Sequence, residues 1–479
     1  MKSKLLQPAS AAVLAAALVL GYLLLAKPLI GMADNGDFLR IMGAFGLDYL
    51  DPHLEYKDKY FSYFLSQYQM TGRYFQGGYP STELIMVGLA MLLDKALTWD
   101  SVFDIRFLAI LYAAVFLAAV YLLVQTYTTV SRTVGWVLAA LLVLVFCDAG
   151  YAAYYNSLYG EPLSYAFLFL TMALALRICR TGRPSGGLLA AFFAAALFFI
   201  GAKVQNAPCG VLLALLSLRF LKMKADRSWR RSVIMGSVGL VAFSAAIYLL
   251  DPKEIKVINQ YQTIFYGVLK DSPTPEKDLE ELGIDPKFAV LKDTNYFTPN
   301  TAIPQSDPIL QKEVYDKADQ KTVALFYLTH PARFLDKMQV TARDAFTIHP
   351  SYLGNYEKAP DVPPGKITGT FTWWSKWKAS ALPRSFLLLC LFFAVYFAVL
   401  MINHRKESRL ERRIELEAFA LLGILAVLSF VVPVIGSGEA DLAKHLFLFT
   451  VCFDMMLAVS LLGLVRFAFW NDRHENSSD

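Results

Sequence analysis

Cysteine is scarce in this chain: Cys147, Cys179, Cys209, Cys390 and Cys452 are all there are in 479 residues. Each lies in or beside an apolar run, and none falls in the long polar segment 251–382. That distribution excludes a disulfide framework and a cysteine-based metal site, and leaves the five as small apolar packing residues. Charge is thin as well, with Asp, Glu, Lys and Arg at 18% of the chain where a soluble protein carries about a quarter. No internal repeat or low-complexity segment breaks the pattern, and nothing points to a nucleic-acid partner.

What is present is apolar sequence, 56% of all residues, much of it in runs long enough to cross a hydrocarbon core of about 30 Å. The chain reads as an all-α polytopic membrane protein of ten spans, roughly 9–30, 104–126, 134–149, 163–180, 186–202, 207–221, 232–250, 383–402, 415–435 and 443–466. The first run follows Lys2 and Lys4 and has no convincing cleavage site after it, so it reads as a retained span rather than a signal peptide. Three basic clusters set the orientation: Arg177, Arg180 and Arg183; then Arg219 to Arg231; then Arg405 to Arg413. With both termini cytoplasmic all three fall inside, as the positive-inside rule requires. The only Asn-x-Ser/Thr triplet, Asn476-Ser477-Ser478, then lies in the cytoplasmic tail, which favours a bacterial plasma membrane.

The spans divide the chain into a module over 1–250 with seven of them, an extracytoplasmic domain over 251–382, and three closing spans with a tail over 383–479. The first outer segment, 31–103, contains "YPSTELIMVGLAMLLDKALTW" (79–99), apolar but interrupted by Asp94 and Lys95. A crossing there would invert every later loop, so a helix lying in the interface is expected. In the outer domain, "TPEKDLEELG" (274–283) reads as a helix with a Thr cap and a Gly stop. Residues 319–346 read as a helix broken at Pro331.

Ionisable groups beside spans are costly and therefore informative. Here they gather at the outer helix ends. "MADNGDFLRI" (32–41) follows span 1 with Asp34, Asp37 and Arg40. "YYNSLYGEP" (154–162) brings Asn156, Tyr159 and Glu161. "GAKVQNAP" (201–208) brings Lys203, Gln205 and Asn206, and "GSGEADLAKH" (436–445) brings Glu439, Asp441, Lys444 and His445. Each has a plainer role open to it: Asp34, Asp37 and Glu161 can serve helix N-termini, Lys203 can snorkel, and Trp373, Trp374 and Trp377 suit an aromatic belt. Four outer segments carrying complementary groups nevertheless suggest one polar cavity opening outwards.

The layout resembles the GT-C superfamily of integral-membrane glycosyltransferases, whose first span runs directly into an acidic motif, here "DNGDFLR". "FFIGAKVQNAP" resembles the glycine-then-lysine motif at the end of span 5, and residues 9–225 carry most of the likeness. "NGDFLR", "NSLYGEP" and "ADLAKHLFLFTVCFD" look most like bacterial hexose transferases of surface-layer glycan biosynthesis. The resemblance implies transfer of a hexose from a polyprenyl-phosphate donor to a hydroxyl of a glycan or lipid-linked acceptor on the outer face, with inversion. Asp37 would be the general base, having the family's spacing to Arg40, although the family's two acids are usually adjacent and here stand three apart. Lys203, with Arg73 or Lys444 and His445, would hold the phosphate. Asp34, Asn156 and Glu161 would bind sugar or orient the base, with Gln205 and Asp441 also lining the site. No cofactor is implied, and a divalent metal on the two acids is the lesser alternative. A lipid-linked glycan transporter, or an O-antigen-ligase-like protein, is the competing reading. It turns on whether Asp37, Lys203 and Glu161 converge.

Overall fold

The computed structural model describes the chain from Gln7 to Glu475, with side chains as far as Val465. Lys2, Lys4 and the Asn476–Ser478 triplet lie outside the described residues.

A segment in lipid must satisfy its backbone internally, so apolar runs of this length become helices. The chain is 67% helix and 3% strand. Among the described residues eight helices are long and apolar enough to span: Pro8–Leu25, Arg106–Thr128, Glu161–Arg180, Val204–Lys222, Arg227–Leu249, Phe386–Lys406, Leu410–Ser437 and Phe447–Val465. Two of the ten expected spans are not among these eight. The one placed at 134–149 is a bent pair, Arg132–Leu144 followed by Ala149–Tyr155 at 60°. The break has a cause in Asp148, a buried residue whose Oδ1 accepts the Gly150 N–H at 2.8 Å while Oδ2 accepts those of Trp374 and Ser375 at 3.0 and 3.1 Å. The one placed at 186–202 is a helix of only 15 residues, Gly186–Ile200, shorter than the roughly 17–25 a crossing helix needs. Glu161–Arg180 forms the centre of the bundle, with 89% of its spanning window buried.

The segment 31–103 is not all helix. After a short helix, Leu39–Phe45, come β1 (Leu47–Tyr49), β2 (Gln67–Met70) and β3 (Val102–Asp104), an antiparallel sheet in the order β1-β2-β3 with Leu47 opposite Met70 and Tyr68 opposite Phe103. Helix Glu83–Thr98 occupies the segment expected to lie in the interface.

In the segment 251–382 a helix runs from Pro275 to Glu281, with Gly283 at φ +75° beyond it. Thr274 provides no side-chain cap. Its N–H instead donates to Ser272 Oγ, which in turn donates to Asp278. The Pro331 break divides Gln320–Thr329, opened by an Asp319–Thr322 capping box, from Pro331–Asp344. Residues 354–356 return to the exit of the first span. Gly31 and Ala33 donate to the carbonyls of Asn355 and Gly354 at 3.0 and 2.9 Å, and Asn355 Nδ2 donates to Gly31 O at 2.7 Å. A side chain at 354 would come within 2.1 Å of the Ser62 carbonyl, so glycine permits this close approach. Residues 354–355, together with Phe61, whose N–H donates to Asp34 O at 2.8 Å, therefore grip the stretch that carries Asp34.

Candidate active site

The turn at Asp34–Asp37 is built by its own side chains. Asp34 Oδ1 accepts the N–H groups of Gly36 (2.7 Å) and Phe38 (3.1 Å), closing the turn that leads into the Leu39–Phe45 helix, whose own N-cap, Phe38, has no side-chain cap. Gly36 sits at φ +103°, a conformation side chains disfavour. Asp34 is only 4% exposed, and its Oδ2 is buried without a partner among the described residues. Burial pushes this carboxyl up to about 7, against the pull of the two N–H donors.

Asp37 is in the opposite state. One oxygen pairs with Arg40 at 2.9 Å and the other is bonded by Lys444. Burial would raise it, but the Lys444 and Arg40 charges more than offset this, with Lys203 adding to the pull, and hold it well below the usual carboxylate range. Its side chain is 28% exposed and that of Arg40 is 34%, so this pair faces an approachable surface.

The remaining loops converge on the same place. Lys444 Nζ also donates to Asn35 Oδ1 (3.1 Å) and lies 3.9 Å from the centre of the Tyr159 ring. Asn35 accepts this bond, donates through Nδ2 to Asp441 (3.0 Å) and through its backbone N–H to the Tyr159 hydroxyl (2.9 Å). Glu161 and Lys203 form a 2.6 Å ion pair, buried on the acid side and 20% exposed on the lysine. Gly160 permits this contact, since a Cβ there would stand 2.7 Å from both the Ala202 carbonyl and Lys203 Cγ. Gln205 Nε2 donates to the His445 carbonyl at 3.1 Å. Burial and the nearby Lys203 charge lower His445 to about 4, so near neutrality its ring is uncharged and adds no cation.

Two expected residues stand apart from this chemistry. Asn156 is fully buried, and its amide hydrogens go to the carbonyls of Leu24 (3.1 Å) and Ile30 (2.8 Å). It clasps the end of the first span rather than reaching toward a ligand. Arg73 is exposed on the loop after β2 and, among the described residues, forms no ion pair or side-chain hydrogen bond with the cluster.

Sequence reasoning passes over Asn35, which the folded chain makes the hub of the network, and over Glu83. The latter opens the Glu83–Thr98 helix, is 1% exposed, and has Oε1 buried without a partner among the described residues. Burial, with the Glu161 charge nearby, holds its carboxyl well above the usual range. An acid in the apolar "STELIM" run was the available signal. Tyr352, from the segment 251–382, reaches Asp441 at 3.4 Å, and nothing in its surroundings in sequence marks it.

Among the described residues no three His, Cys, Asp or Glu side chains come together as a metal-holding group. The two Asp37 oxygens already face cations, an arrangement electrostatically hostile to a further positive ion. What the cluster offers is a row of alternating charge, Arg40–Asp37–Lys444 and Glu161–Lys203, with a second, buried acid behind it. No curated protein and no solved structure matches the chain. A multi-pass helical membrane protein by its eight apolar helices, the chain belongs to the YfdI N-terminal transmembrane domain family, whose profile matches residues 1–479.

Proposed function

We propose that this protein is a membrane glycosyltransferase that moves a hexose from a polyprenyl-phosphate donor to a hydroxyl of a glycan or lipid-linked acceptor at the outer face of the membrane. The observation that carries this reading is the pairing of Asp37 with Lys444 and Arg40, with Lys203 of the Lys203–Glu161 pair near enough for its charge to act on Asp37. Membership in the YfdI transmembrane family fits it.

The reaction asks for a base on the acceptor hydroxyl and for cations on the departing phosphate. Lys444, Arg40 and Lys203 supply the positive charge. The two acids compete for the role of base. Titration favours Asp34, since a carboxyl near 7 matches the working pH. Reach favours Asp37, because its side chain is exposed whereas the free oxygen of Asp34 is covered. Reach comes first, so Asp37 is assigned as base. A phosphate bound on Lys444 and Arg40 would draw those cations off the Asp37 carboxylate and restore its basicity. Asp34 then holds the turn in shape. Glu161 holds Lys203, and Asp441 and Gln205 tie the last loop to the site.

A transporter would share the bent Arg132–Leu144 and Ala149–Tyr155 pair. The acid at that break, Asp148, is fully buried and bonded by three backbone N–H groups, so it lines no open path and the transferase reading is preferred. The test is transfer of labelled hexose from a synthetic polyprenyl-phosphate donor by purified protein in lipid nanodiscs. Asp37→Asn should lower transfer by roughly 10²–10³-fold while donor binding persists. Transfer at the wild-type rate by that variant would remove Asp37 as base, and absence of transfer by wild type with any hexose donor would remove the function.

A further inference from the structure

A cleft of about 830 Å³ lies far from the Asp37 cluster. It opens between the helices Arg106–Thr128, Arg132–Leu144, Glu161–Arg180, Phe386–Lys406, Leu410–Ser437 and Phe447–Val465. One helix relates it to the cluster. Glu161 and Arg180 stand at opposite ends of the same helix, about 28 Å apart at 1.5 Å per residue, nearly the thickness of a hydrocarbon core. The polar end of the cleft therefore lies at the membrane face opposite the candidate active site.

That polar end is a compact ionic group. Glu415 accepts from Tyr127 Oη (2.7 Å), Arg180 (2.6 Å) and Arg412 (2.8 Å). Two arginines answer one acid. The nearby Glu407, also on the cleft wall, is paired with Arg409, so a net positive charge remains. The Arg180 Nε is buried and unpartnered among the described residues, a donor in want of an acceptor. Away from this group the walls are apolar. On the central helix they extend from Arg180 back to Phe169, about 16 Å of helix, or half of a 30 Å core. The cleft is thus one leaflet deep, with a cationic rim at the interface.

We infer that this cleft is a binding site for an anionic phospholipid of the leaflet opposite the active site, its phosphate on Arg180 and Arg412 and its acyl chains along the apolar wall. One-leaflet depth favours an acyl lipid over a long polyprenyl chain. The paired arginines favour an anionic head group over a zwitterionic one. The site is independent of the transferase reading, since none of its residues belongs to the Asp37 cluster.

Native mass spectrometry of the purified full chain, after delipidation and add-back, tests it. Phosphatidylglycerol should be retained about fivefold over phosphatidylethanolamine, the preference that one additional interfacial cation contributes. Inorganic phosphate should not displace it. Arg412→Gln should erase the head-group preference. Ala458→Phe, which fills the apolar wall and leaves the ionic group whole, should lower retention of both lipids. Equal retention of the two lipids by wild type, displacement of phosphatidylglycerol by equimolar polyprenyl phosphate, or unchanged retention by Ala458→Phe would each overturn the assignment.

Discussion

The Lys444 ammonium bonds the Asp37 carboxylate across 407 residues of sequence. Its side chain is 1% exposed, whereas that of Asp37 is 28% exposed. A buried cation thus reaches outward to a reachable acid. A lysine so thoroughly desolvated needs a counter-charge, and Asp37 provides it while keeping a face open to a ligand. The pair therefore joins the first and last loops of the bundle and sets the charge of the site in one contact.

If the two act as a unit, their removal should not be additive. Lys444→Gln and Asp37→Asn are each expected to lower transfer by roughly 10²–10³-fold, the usual cost of one electrostatic group at a reacting centre. The double variant should be little worse than the poorer single one. A double-mutant cycle on kcat/KM measures this, and effects that multiply would show that the contact seen between them does not matter to turnover.

The pH profile separates the two candidate bases. Asp37 is held well below the usual carboxylate range in the free protein, so with Asp37 as base kcat/KM should stay flat from pH 8 down to pH 5 (on the order of the range where most proteins stay folded). With Asp34 as base it should instead fall tenfold per unit below about 7. An acid limb near 7 that disappears in Asp34→Asn but not in Asp37→Asn would transfer the role to Asp34.

Asp34 also carries a stability signature. Its folded value of about 7 lies above the ordinary 3.8, so between those values the folded state keeps a proton that the unfolded state has lost. Stability contributed by this group is present below about pH 4 and declines as pH rises toward 7, by up to about 4 kcal/mol. Buried His445 and His349, both lowered to about 4, act in the other direction over part of the same range. The measurement is therefore a difference: the melting temperature of Asp34→Asn minus that of wild type should grow from pH 5 to pH 8. A difference that stays constant would mean that Asp34 ionises normally.

The sequence made legible whatever depends on composition or on local spacing. Apolar run length located the helices, and Pro331 and Gly283 marked real ends. The four polar loops declared themselves because charge beside a span needs a reason. Span integrity was harder to read, since the bend at Asp148 depends on N–H groups from residues 374 and 375, contacts that no local window contains. The sheet was hidden for a similar reason. Strands of three or four residues are too short to display a period of two, and pairing rather than propensity holds them. Asn35 and Asn156 show the limit at the site itself. Both are amides in loops that also carry acids, yet one becomes the hub of the cluster and the other a clasp on the first helix.

A last prediction concerns charge that serves the fold alone. Lys378 and Asp454 form a 2.6 Å ion pair with both side chains fully buried. Asp454 also accepts from Tyr151 Oη (2.6 Å) and Trp374 Nε1 (2.7 Å), which fastens the end of the segment 251–382 to the last apolar helix. Trp374, expected in an aromatic belt, is thus an internal hydrogen-bond donor. Removing one partner of such a pair strands the other, so Lys378→Met should cost about 3–5 kcal/mol. In Lys378→Met with Asp454→Asn the charge is gone while an acceptor for Tyr151 and Trp374 remains, and most of that loss should be recovered. Thermal unfolding in nanodiscs reads the stability, and transfer per folded molecule should match wild type in the double variant. A double variant that recovers its stability yet transfers no sugar would place this pair in function rather than in scaffold.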